Sequence, residues 1–326
     1  MTTAGALFLV WGPPSHGPRS RVFAAELGIG IEFVEASHRR GILIAPYKYA
    51  VQAAKTIALL WRLRPGLVFV QSPPSFATWI VCGYSRLTGA DFVVDAHSDA
   101  MLSSWWTRPR WLVTMVARRA RATIVTNNHF AEALRRLGAH SVVLPDIPAV
   151  FPTNGESPRV ASQFSVLVVN TFAADEPLAE VLQAAVNFPD VPFFVTGRGR
   201  TVPEAPPNVR FTGFLPAPVY YDLMRSVGVV MCLTKRDHTM QRGACEALSI
   251  GKPIITSHWS LLRDYFHLGT VHVDNTTGGI TTGITEIRRD LPRYQAEILD
   301  LQQEQAMAWT TARTSLLANV PHLLNV

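Results

Sequence analysis

Short apolar runs alternate with helical segments through the first half of the chain. The runs are four or five residues long and rich in Val, Ile and Leu, which is typical of strands buried in a parallel sheet. This alternation predicts an α/β fold with a doubly wound parallel sheet. The predicted strands cover residues 7–10, 31–34, 67–71, 92–95, 123–126 and 141–144. The predicted helices begin at about Arg19 and then cover residues 46–63, 75–88, 109–120 and 128–137.

A proline-rich and then polar stretch interrupts this alternation near the middle of the chain. Residues 145–152 read PDIPAVFP, and residues 153–162 have the polar composition of a linker. A second α/β series begins at residue 165, with further strands predicted at 193–196 and 209–211. We therefore predict two domains, residues 1–150 and residues 151–326, a comfortable division for a chain of 326 residues.

The segment 229–257 contains the clearest strand-loop-helix-strand unit of the second domain. An apolar run at 227–233 predicts a buried strand, and small and apolar residues at helical spacing predict a helix from about Met240. The Gly-Lys-Pro sequence at 251–253 ends that helix, as a Gly C-cap followed by Pro does. The next strand starts at Ile254.

The start of this helix predicts a site for an anionic ligand. It lies at the carboxyl end of the predicted sheet, where open α/β sheets bind ligands. Helix N-termini offer free N–H groups and a positive dipole end, and Arg242 adds a positive charge. Glu246 lies one turn further in, where a carboxylate could accept hydrogen bonds from both ribose hydroxyls. The pattern predicts nucleotide binding, with an exposed helix carboxylate as the alternative interpretation of Glu246.

The sequence CEALSIGKPIITS at 245–257 resembles the donor-site signature of GT-B nucleotide-sugar glycosyltransferases, E-x7-E followed by A-x-x-x-G-K-P-V-I. The second Glu of that signature matches Glu246, so the resemblance implies that Glu246 binds the donor ribose. The first Glu, which lies near the transferred sugar in that family, falls on His238, beside Asp237. The element order of nearly the whole chain is similar to that family. The resemblance implies two Rossmann-like domains facing each other across a cleft, with a C-terminal helix at 293–318 packing back on the first.

The resemblance also implies ligand-binding residues in both domains. The Gly-rich turn after the strand at 193–196 and the FTGFLP stretch at 211–216 would hold the donor base. The loop 170–177 lacks the Arg and Lys with which the family often binds the diphosphate, so Arg198, Arg242 and helix dipoles would neutralise it. The implied donor-binding residues are Gly197, Arg198, Gly199, Phe214, Arg242, Gly243 and Glu246. The loop after the first strand would bind the acceptor through Ser15, His16 and Gly17, with a tight turn as the alternative.

Asp95, His97 and Asp99 form a candidate group for proton transfer at the end of a first-domain strand. Alternate residues of a strand share a face, so these three would lie together if the strand extended that far. A sugar hydroxyl must lose its proton as it attacks, and a His or Asp within reach can accept it. We predict His97, Asp99 and His238 as catalytic residues. The alternatives are a helix N-cap at Ser98 or Asp99 and a structural role for Asp95.

The sequence predicts neither a metal site nor a cofactor. The chain has no Asp-x-Asp, and its His and Cys residues lack ligand spacing. We therefore expect a metal-independent, hexosyltransferase-like enzyme with a nucleotide sugar as co-substrate, in which Arg and backbone donors stabilise the leaving diphosphate. Three cysteines without paired spacing predict buried thiols in a reducing compartment.

Positive charge is concentrated in the first domain. Residues 1–150 carry 16 Lys and Arg against 8 Asp and Glu, a net charge of +8, whereas the remainder carries 14 against 16, a net charge of −2. A basic half predicts an anionic partner, and no nucleic-acid motif is recognisable. The segment 101–121 mixes Trp with Arg, which suits an anionic membrane interface. An ordinary amphipathic helix with a basic outer face is the alternative. These residues are Trp105, Trp106, Trp111, Arg108, Arg110, Arg118, Arg119 and Arg121.

These observations favour one function and leave two alternatives. The N-terminus lacks a basic signal-peptide region and no stretch reaches ~18 apolar residues, which predicts a cytoplasmic protein, with peripheral binding to the inner face of the membrane. The favoured function is sugar transfer from a nucleotide sugar to a glycan or polyprenyl-linked acceptor in polysaccharide or glycoconjugate biosynthesis. The alternatives are a nucleotide-sugar 2-epimerase of the same fold and a catalytically degenerate GT-B binding subunit, the latter suggested by His238.

Overall fold

The computed structural model describes residues 5–14, 18–36, 44–144, 146, 151–152, 164–199 and 203–319. The chain divides into two compact units. Unit 1 is Met1–Ile147 together with Ala308–Val326, and unit 2 is Pro148–Met307. Each unit contains one six-stranded sheet whose strands are all parallel. The predicted α/β fold class is confirmed. The predicted domain boundary and the predicted linker at 153–162 lie outside the described residues.

Unit 1 alternates strands and helices along the chain, as the apolar pattern predicts. Its strands pair in the order β2-β1-β3-β4-β5-β6. The strands are β1 (Ala6–Trp11), β2 (Gly30–Val34), β3 (Leu67–Ser72), β4 (Asp91–Ala96), β5 (Ala122–Val125) and β6 (Ser141–Val143). The helices are α1 (Pro18–Glu26), α2 (Ala45–Leu63), α3 (Ser75–Thr88), α4 (Ser98–Leu102), α5 (Arg110–Arg119) and α6 (Asn128–Arg136).

Unit 2 repeats this alternation. Its strands pair in the order β12-β11-β10-β7-β8-β9. The strands are β7 (Val166–Val168), β8 (Phe193–Thr196), β9 (Val209–Gly213), β10 (Val229–Cys232), β11 (Ile254–Ser257) and β12 (Thr270–Val273). The helices are α7 (Leu178–Ala185), α8 (Ala217–Ser226), α9 (Arg242–Ile250), α10 (Ser260–Tyr265), α11 (Thr277–Arg289) and α12 (Leu291–Asn319).

Both faces of the unit 1 sheet are covered by helices, which explains why its strands read as continuous apolar runs. Successive residues of β1 alternate between two cores. Leu9 packs with Leu60 of α2 and Val81 of α3 on one face. Phe8 packs with Phe23 of α1 on the other face, at 6.1 Å between ring centroids.

The longest helix, α12, contributes to the cores of both units. Ile298 and Leu301 are fully buried in the core of unit 2. From Ala308 onward the helix belongs to unit 1, where Trp309 packs edge-on against Phe23 and Leu316 is fully buried. Within the described ranges, no helix is long and apolar enough to cross a membrane.

Strand β4 ends too early for all three candidate residues of the proton-transfer group to lie on it. Strand β4 ends at Ala96, and the short helix α4, which the apolar pattern does not indicate, begins at Ser98. The chain turns because the N–H of Ala100 bonds to the carbonyl of His97 at 2.9 Å. The condition under which Asp95, His97 and Asp99 would share one strand face is therefore not met.

Candidate active site

Helix α9 begins at Arg242, close to its predicted start, and follows the loop after β10. Its C-terminus is the predicted Gly cap: Gly251 has φ 75°, and its N–H bonds to the carbonyl of Leu248 at 3.0 Å. The N-terminal turn contacts the end of β10, because a Cβ on Gly243 would meet Cys232 Sγ at 2.8 Å. The helix therefore presents its N–H groups at the carboxyl end of the unit 2 sheet.

Glu246 is buried, with 8% of its surface exposed, and it accepts three hydrogen bonds. Arg242 Nε donates to Oε1 at 2.8 Å. The hydroxyl of Tyr220 donates to Oε2 at 2.9 Å, and that of Tyr221 donates to Oε1 at 3.4 Å. A buried carboxylate needs such donors to offset its lost hydration. The interpretation of Glu246 as an exposed helix carboxylate is wrong, and its role in ribose binding stays a prediction.

The two tyrosines beside Glu246 remain protonated donors over the physiological pH range. Burial and the negative charge of Glu246 raise the pKa of Tyr221 to about 12. The same causes raise the pKa of Tyr220 well above its usual value. The bond from Tyr221, at 3.4 Å, is the weakest of the three. It is therefore the one that a ribose hydroxyl could replace at least cost.

Gly243 is required by packing between α9 and the sheet. A Cβ there would lie 2.7 Å from Val169 Cγ1 and 2.8 Å from Cys232 Sγ. Real Cβ atoms do not approach other heavy atoms so closely, so a larger residue would displace the first turn of α9. Gly243 therefore lets the helix N-terminus lie close to the strand ends. Its predicted part in donor binding would be exerted through that placement.

Gly197 lies in a turn that only glycine fits. Its φ is 85°, and a Cβ would meet the carbonyl oxygen of Asn170 at 2.1 Å. Its N–H donates to the carbonyl of Gly213 at 3.1 Å, which joins the turn to the end of β9. The next residue, Arg198, is exposed, and Phe214 is 70% exposed just beyond β9. The structure thus brings the predicted base-binding segments together, with Gly199 following in the same turn.

Hydrogen bonds from the loop backbone to the side chain of Glu176 fix the conformation of the loop after β7. Glu176 Oε2 accepts from the backbone N–H groups of Thr171 at 2.8 Å and Ala173 at 2.9 Å. Lys235, from the loop after β10, forms an ion pair with Glu180 at 2.7 Å, and its N–H bonds to the carbonyl of Asp175. These contacts occupy polar groups of the loop, whose residues 170–177 include no Arg or Lys.

His238 lies in the loop between β10 and α9, which is anchored at its start. The N–H of buried Thr234 donates to Ser257 Oγ at 2.8 Å, and its hydroxyl donates to Asp175 Oδ2 at 2.9 Å. His238 has a left-handed φ of 56°, and its N–H donates to Asp237 Oδ1 at 2.6 Å. Its Nε2 lies 3.5 Å from Asp237 Oδ2. The structure therefore pairs the imidazole with the neighbouring carboxylate, and its catalytic role stays a prediction.

Asp95 and His97 form a pair at the carboxyl end of β4 in unit 1. His97 Nε2 lies 3.3 Å from Asp95 Oδ2, and Arg19 Nε lies 3.8 Å from Asp95 Oδ1. Asp95 is 1% exposed, whereas the His97 side chain is 29% exposed. Although burial raises the pKa of Asp95, the charges of His97 and Arg19 outweigh it and lower the pKa. An ionised carboxylate that orients a partly exposed imidazole is the arrangement of an assisted general base.

Asp99 is separated from this pair. It lies exposed in the first turn of α4, and its Oδ2 accepts from Trp106 Nε1 at 3.1 Å. The N-cap of α4 is His97, without a side-chain cap bond, so the N-cap interpretation of Ser98 or Asp99 is wrong. The visible contact of Asp99 holds an aromatic residue in the segment that leads to α5. Its catalytic role stays a prediction.

The remaining predicted acceptor residues, Ser15, His16 and Gly17, lie outside the described residues. The two tyrosines on Glu246 are functional candidates that the sequence reasoning missed. The adjacent aromatic pair in a helix right after the FTGFLP stretch was an available signal. It could be recognised only with α8 and α9 placed side by side.

Of three comparisons with known proteins, only the comparison with solved structures gives matches. No family model matches the sequence, and no curated protein matches it significantly. Many solved structures match. Sucrose-phosphate synthase from Thermosynechococcus elongatus has a TM-score of 0.73 at 13% identity, over 98% of this chain and 99% of that one.

Two further structures extend the match to ligand complexes and to a second enzyme class. Anabaena HepE in complex with UDP and glucose has a TM-score of 0.72 at 13% identity, over 97% of this chain and 99% of that one. A protein from Listeria monocytogenes assigned as a UDP-N-acetylglucosamine 2-epimerase has a TM-score of 0.68 at 9% identity, over 98% of this chain and 97% of that one. At these identities the likeness establishes the fold alone: the chain has the α/β GT-B fold of these structures.

Proposed function

We propose that the protein is a glycosyltransferase that moves a sugar from a nucleotide sugar to a glycan or polyprenyl-linked acceptor, in polysaccharide or glycoconjugate biosynthesis. The observation that carries the proposal is Glu246, buried behind the N-terminus of α9 and held by three donors. A helix N-terminus for phosphates with a carboxylate one turn away fits a nucleotide. Because HepE is known in complex with UDP-glucose, uridine diphosphate sugars are the first donors to test.

The proposal gives the unit 2 residues separate tasks. The N–H groups of the first turn of α9, together with Arg242 and Arg198, would bind the donor diphosphate and stabilise it as it leaves. Glu246 would accept from the ribose hydroxyls, and Phe214 would cover the base. No metal is assigned, since no three His, Cys, Asp or Glu side chains converge in the described part of the chain and Arg can carry the charge role.

The Asp95 and His97 pair in unit 1 is assigned to the acceptor. As the acceptor hydroxyl attacks the sugar, its proton would pass to the imidazole of His97. Asp95 is a positioning residue: its carboxylate, whose pKa His97 and Arg19 lower despite its burial, would favour the imidazolium that forms. A general base of this kind contributes about 100-fold to 10,000-fold to a rate.

A nucleotide-sugar 2-epimerase is the second candidate. It is favoured by the likeness to the Listeria structure assigned to that activity, which covers 98% of this chain. An epimerase would convert the donor without a second substrate, and the basic aromatic segment 101–121 would have no assigned task. The identity of the product therefore separates the two candidates.

Peripheral attachment to an anionic membrane is part of the proposed setting. Trp105 and Trp111 are each 70% exposed, and Arg108 and Arg110 are exposed on the same segment. Attraction to an anionic surface contributes about 1 kcal/mol per basic residue near it. Sedimentation should show binding to anionic but not neutral vesicles, and weaker binding at high salt. Equal sedimentation with both vesicle types would contradict this part of the proposal.

The direct test of the donor assignment is a ligand-detected NMR screen with a panel of nucleotide sugars. The matching nucleoside diphosphates test the phosphate and ribose contacts alone, and the free sugars are the negative control. We expect nucleotide sugars and nucleoside diphosphates to bind and free sugars not to bind. Absence of nucleotide binding by the folded protein would show the proposal to be wrong.

A further inference from the structure

An apolar cavity in unit 1 is lined by none of the residues assigned above to the donor or to proton transfer. It has a volume of about 780 Å³, within the range of about 300–1,000 Å³ that is usual for small-molecule sites. Aromatic side chains dominate its wall. The principal lining residues are Trp11, Tyr49, Phe76, Trp79, Ile80 and Trp105.

The cavity lies at the ligand-binding edge of the unit 1 sheet. Trp11 is the last residue of β1, and Phe76 is in the first turn of α3, which follows β3. Ligands of parallel α/β sheets bind beyond these carboxyl ends. Trp11 is fixed there by a hydrogen bond from its Nε1 to Thr56 Oγ1 at 2.8 Å and by stacking on Tyr49 at 6.3 Å. The wall is therefore preformed.

The outer wall is held in place by polar contacts behind it. Trp106 donates from Nε1 to Asp99 Oδ2 at 3.1 Å, and its carbonyl accepts from Ser75 Oγ at 2.6 Å. Its ring lies edge-on to Phe76 at 6.1 Å. These contacts fix the segment that carries Trp105. The exposed Asp99 therefore helps to position the cavity wall.

A second cavity with a different chemical character adjoins the first. It has a volume of about 690 Å³ and shares Phe76 and Trp105 with the apolar cavity. Arg108 and Arg110 also line it. Both guanidinium groups are exposed, and none of the described acidic residues forms an ion pair with either. Two basic residues therefore lie at the rim of an aromatic cavity.

The wall of the apolar cavity offers few polar groups. Its lining is aromatic and aliphatic, and Trp79 Nε1 is itself closed to solvent, without a partner among the described residues. A ligand that fills this cavity would be largely hydrocarbon.

From these contacts we infer that unit 1 binds a prenyl phosphate, with the branched hydrocarbon chain in the aromatic cavity and the phosphate on Arg108 and Arg110. Charge complementarity selects an anionic head, and the adjoining apolar wall selects a chain attached to it. This inference deepens the proposed function and rests on it, because it names the chemical class of the acceptor carrier. It places no prenyl chain in unit 2.

The test is calorimetric binding of farnesyl phosphate, farnesol and inorganic phosphate, each below its aggregation limit. Farnesyl phosphate should bind saturably, farnesol about 10-fold more weakly, and inorganic phosphate more than about 100-fold more weakly, since each fragment keeps only one set of contacts. Arg108→Gln with Arg110→Gln should weaken farnesyl phosphate about 10-fold and leave farnesol unchanged. Equal binding of the alcohol and the phosphate would overturn the inference.

Two matched variants guard against general effects of substitution. Trp105→Ala removes a residue of both cavities, whereas Trp111→Ala removes an equally exposed Trp, 70% in each case, that lines neither. Only the first should weaken farnesyl phosphate. Arg62→Gln with Arg119→Gln removes the same charge from exposed positions outside the cavities and should have no effect. Equal losses in the paired variants would overturn the inference.

Failure of this inference is distinguishable from failure of the proposed function. Nucleotide-sugar binding without saturable farnesyl phosphate binding would overturn only the carrier assignment. The same holds for binding to anionic vesicles without binding to the monomeric phosphate, which would assign the segment to a membrane surface. Farnesyl phosphate binding without nucleotide binding would overturn the proposed function. The bound prenyl phosphate could then no longer be interpreted as the carrier of an acceptor.

Discussion

The carboxyl ends of the two sheets have different chemistry. In unit 2, Glu246 lies in a polar cluster, where its carboxylate accepts hydrogen bonds from Arg242, Tyr220 and Tyr221. In unit 1, the same edge is mostly aromatic wall, with one buried carboxylate beside a partly exposed imidazole. The same fold thus presents a polar site in one unit and an apolar site with a basic rim in the other.

In the proposed function, this difference gives the two units separate tasks. A nucleotide is recognised by many directed hydrogen bonds, for which a closed polar cluster is suited. An acceptor on a hydrocarbon carrier is recognised by burial, with only a few polar contacts near the reacting hydroxyl. The comparison therefore predicts that substitutions in unit 2 change donor affinity and those in unit 1 change turnover or acceptor affinity.

The largest effect is expected for His97→Ala in unit 1. Loss of the proton acceptor should reduce turnover about 100-fold to 10,000-fold. Donor affinity should stay nearly unchanged, because the donor is assigned to unit 2. Steady-state rates, donor binding and melting temperature are measured on one preparation.

His140→Ala is the control, because His140 is exposed in the same unit. A structural role of His97 would lower the melting temperature and change activity only in proportion to unfolded protein. Near wild-type transfer by folded His97→Ala would remove the catalytic assignment from unit 1 and make Asp99 or His238 the next candidate.

A smaller effect on binding is expected for Glu246→Ala in unit 2. Losing a charged hydrogen-bond partner of the ribose should weaken nucleotide binding by about 1.5–3 kcal/mol, or about 10-fold to 150-fold. Calorimetry with the donor nucleotide measures the change. Glu132→Ala, which removes a surface carboxylate paired with Arg135 and Arg136 in unit 1, is the control. Unchanged affinity in folded Glu246→Ala would show the ribose assignment to be wrong.

Glycine substitutions in the two units should change the free energy of unfolding in opposite directions. Gly243→Ala places a Cβ 2.7 Å from Val169 and should destabilise unit 2 by about 1–3 kcal/mol, because the first turn of α9 must move. Gly83→Ala, inside α3 of unit 1, meets nothing within 4 Å and should stabilise by up to about 1 kcal/mol. Chemical denaturation measures both. Equal effects of the two variants would contradict the packing role of Gly243.

The smallest effect concerns the acid stability of unit 1. Because the folded-state pKa of Asp95 lies below its unfolded value, ionised Asp95 stabilises the fold above the unfolded pKa of about 3.9. That stabilisation is lost as the pH falls through the folded pKa. The difference in unfolding free energy between wild type and Asp95→Asn should therefore shrink below about pH 4. A pH-independent difference in denaturation experiments would contradict the depressed pKa.

The local pattern of apolar and polar residues was sufficient to predict most of the fold. Buried strands were readable because both faces of each sheet are covered, and α9 ended at Gly251 as the Gly-Lys-Pro sequence predicts. The short helix α4 was not readable, since five residues are too few for a helical period. The sequence therefore placed Asp99 with His97, whereas the turn at Ser98 separates them.

The contacts of the candidate site could be predicted from the sequence only between residues that are close together along the chain. Asp95 and His97 are two residues apart, and because the backbone is still extended at His97, one residue beyond β4, the alternation of a strand reaches this pair. The contacts of Glu246 with Tyr220 and Tyr221 join two helices and could not be derived from either one. The aromatic cavity likewise joins Trp11, Tyr49 and Trp105 across long stretches of chain, which a linear pattern does not encode.

Product analysis with an isotopically labelled nucleotide sugar tests the central claim most directly. The protein is incubated with the donor identified by the binding screen, with and without farnesyl phosphate carrying a sugar as acceptor. The account predicts release of the nucleoside diphosphate and labelled sugar on the acceptor, only when the acceptor is present and lost in Glu246→Ala. Labelled donor epimerised without acceptor, or nucleotide bound without any product across an acceptor panel, would contradict it.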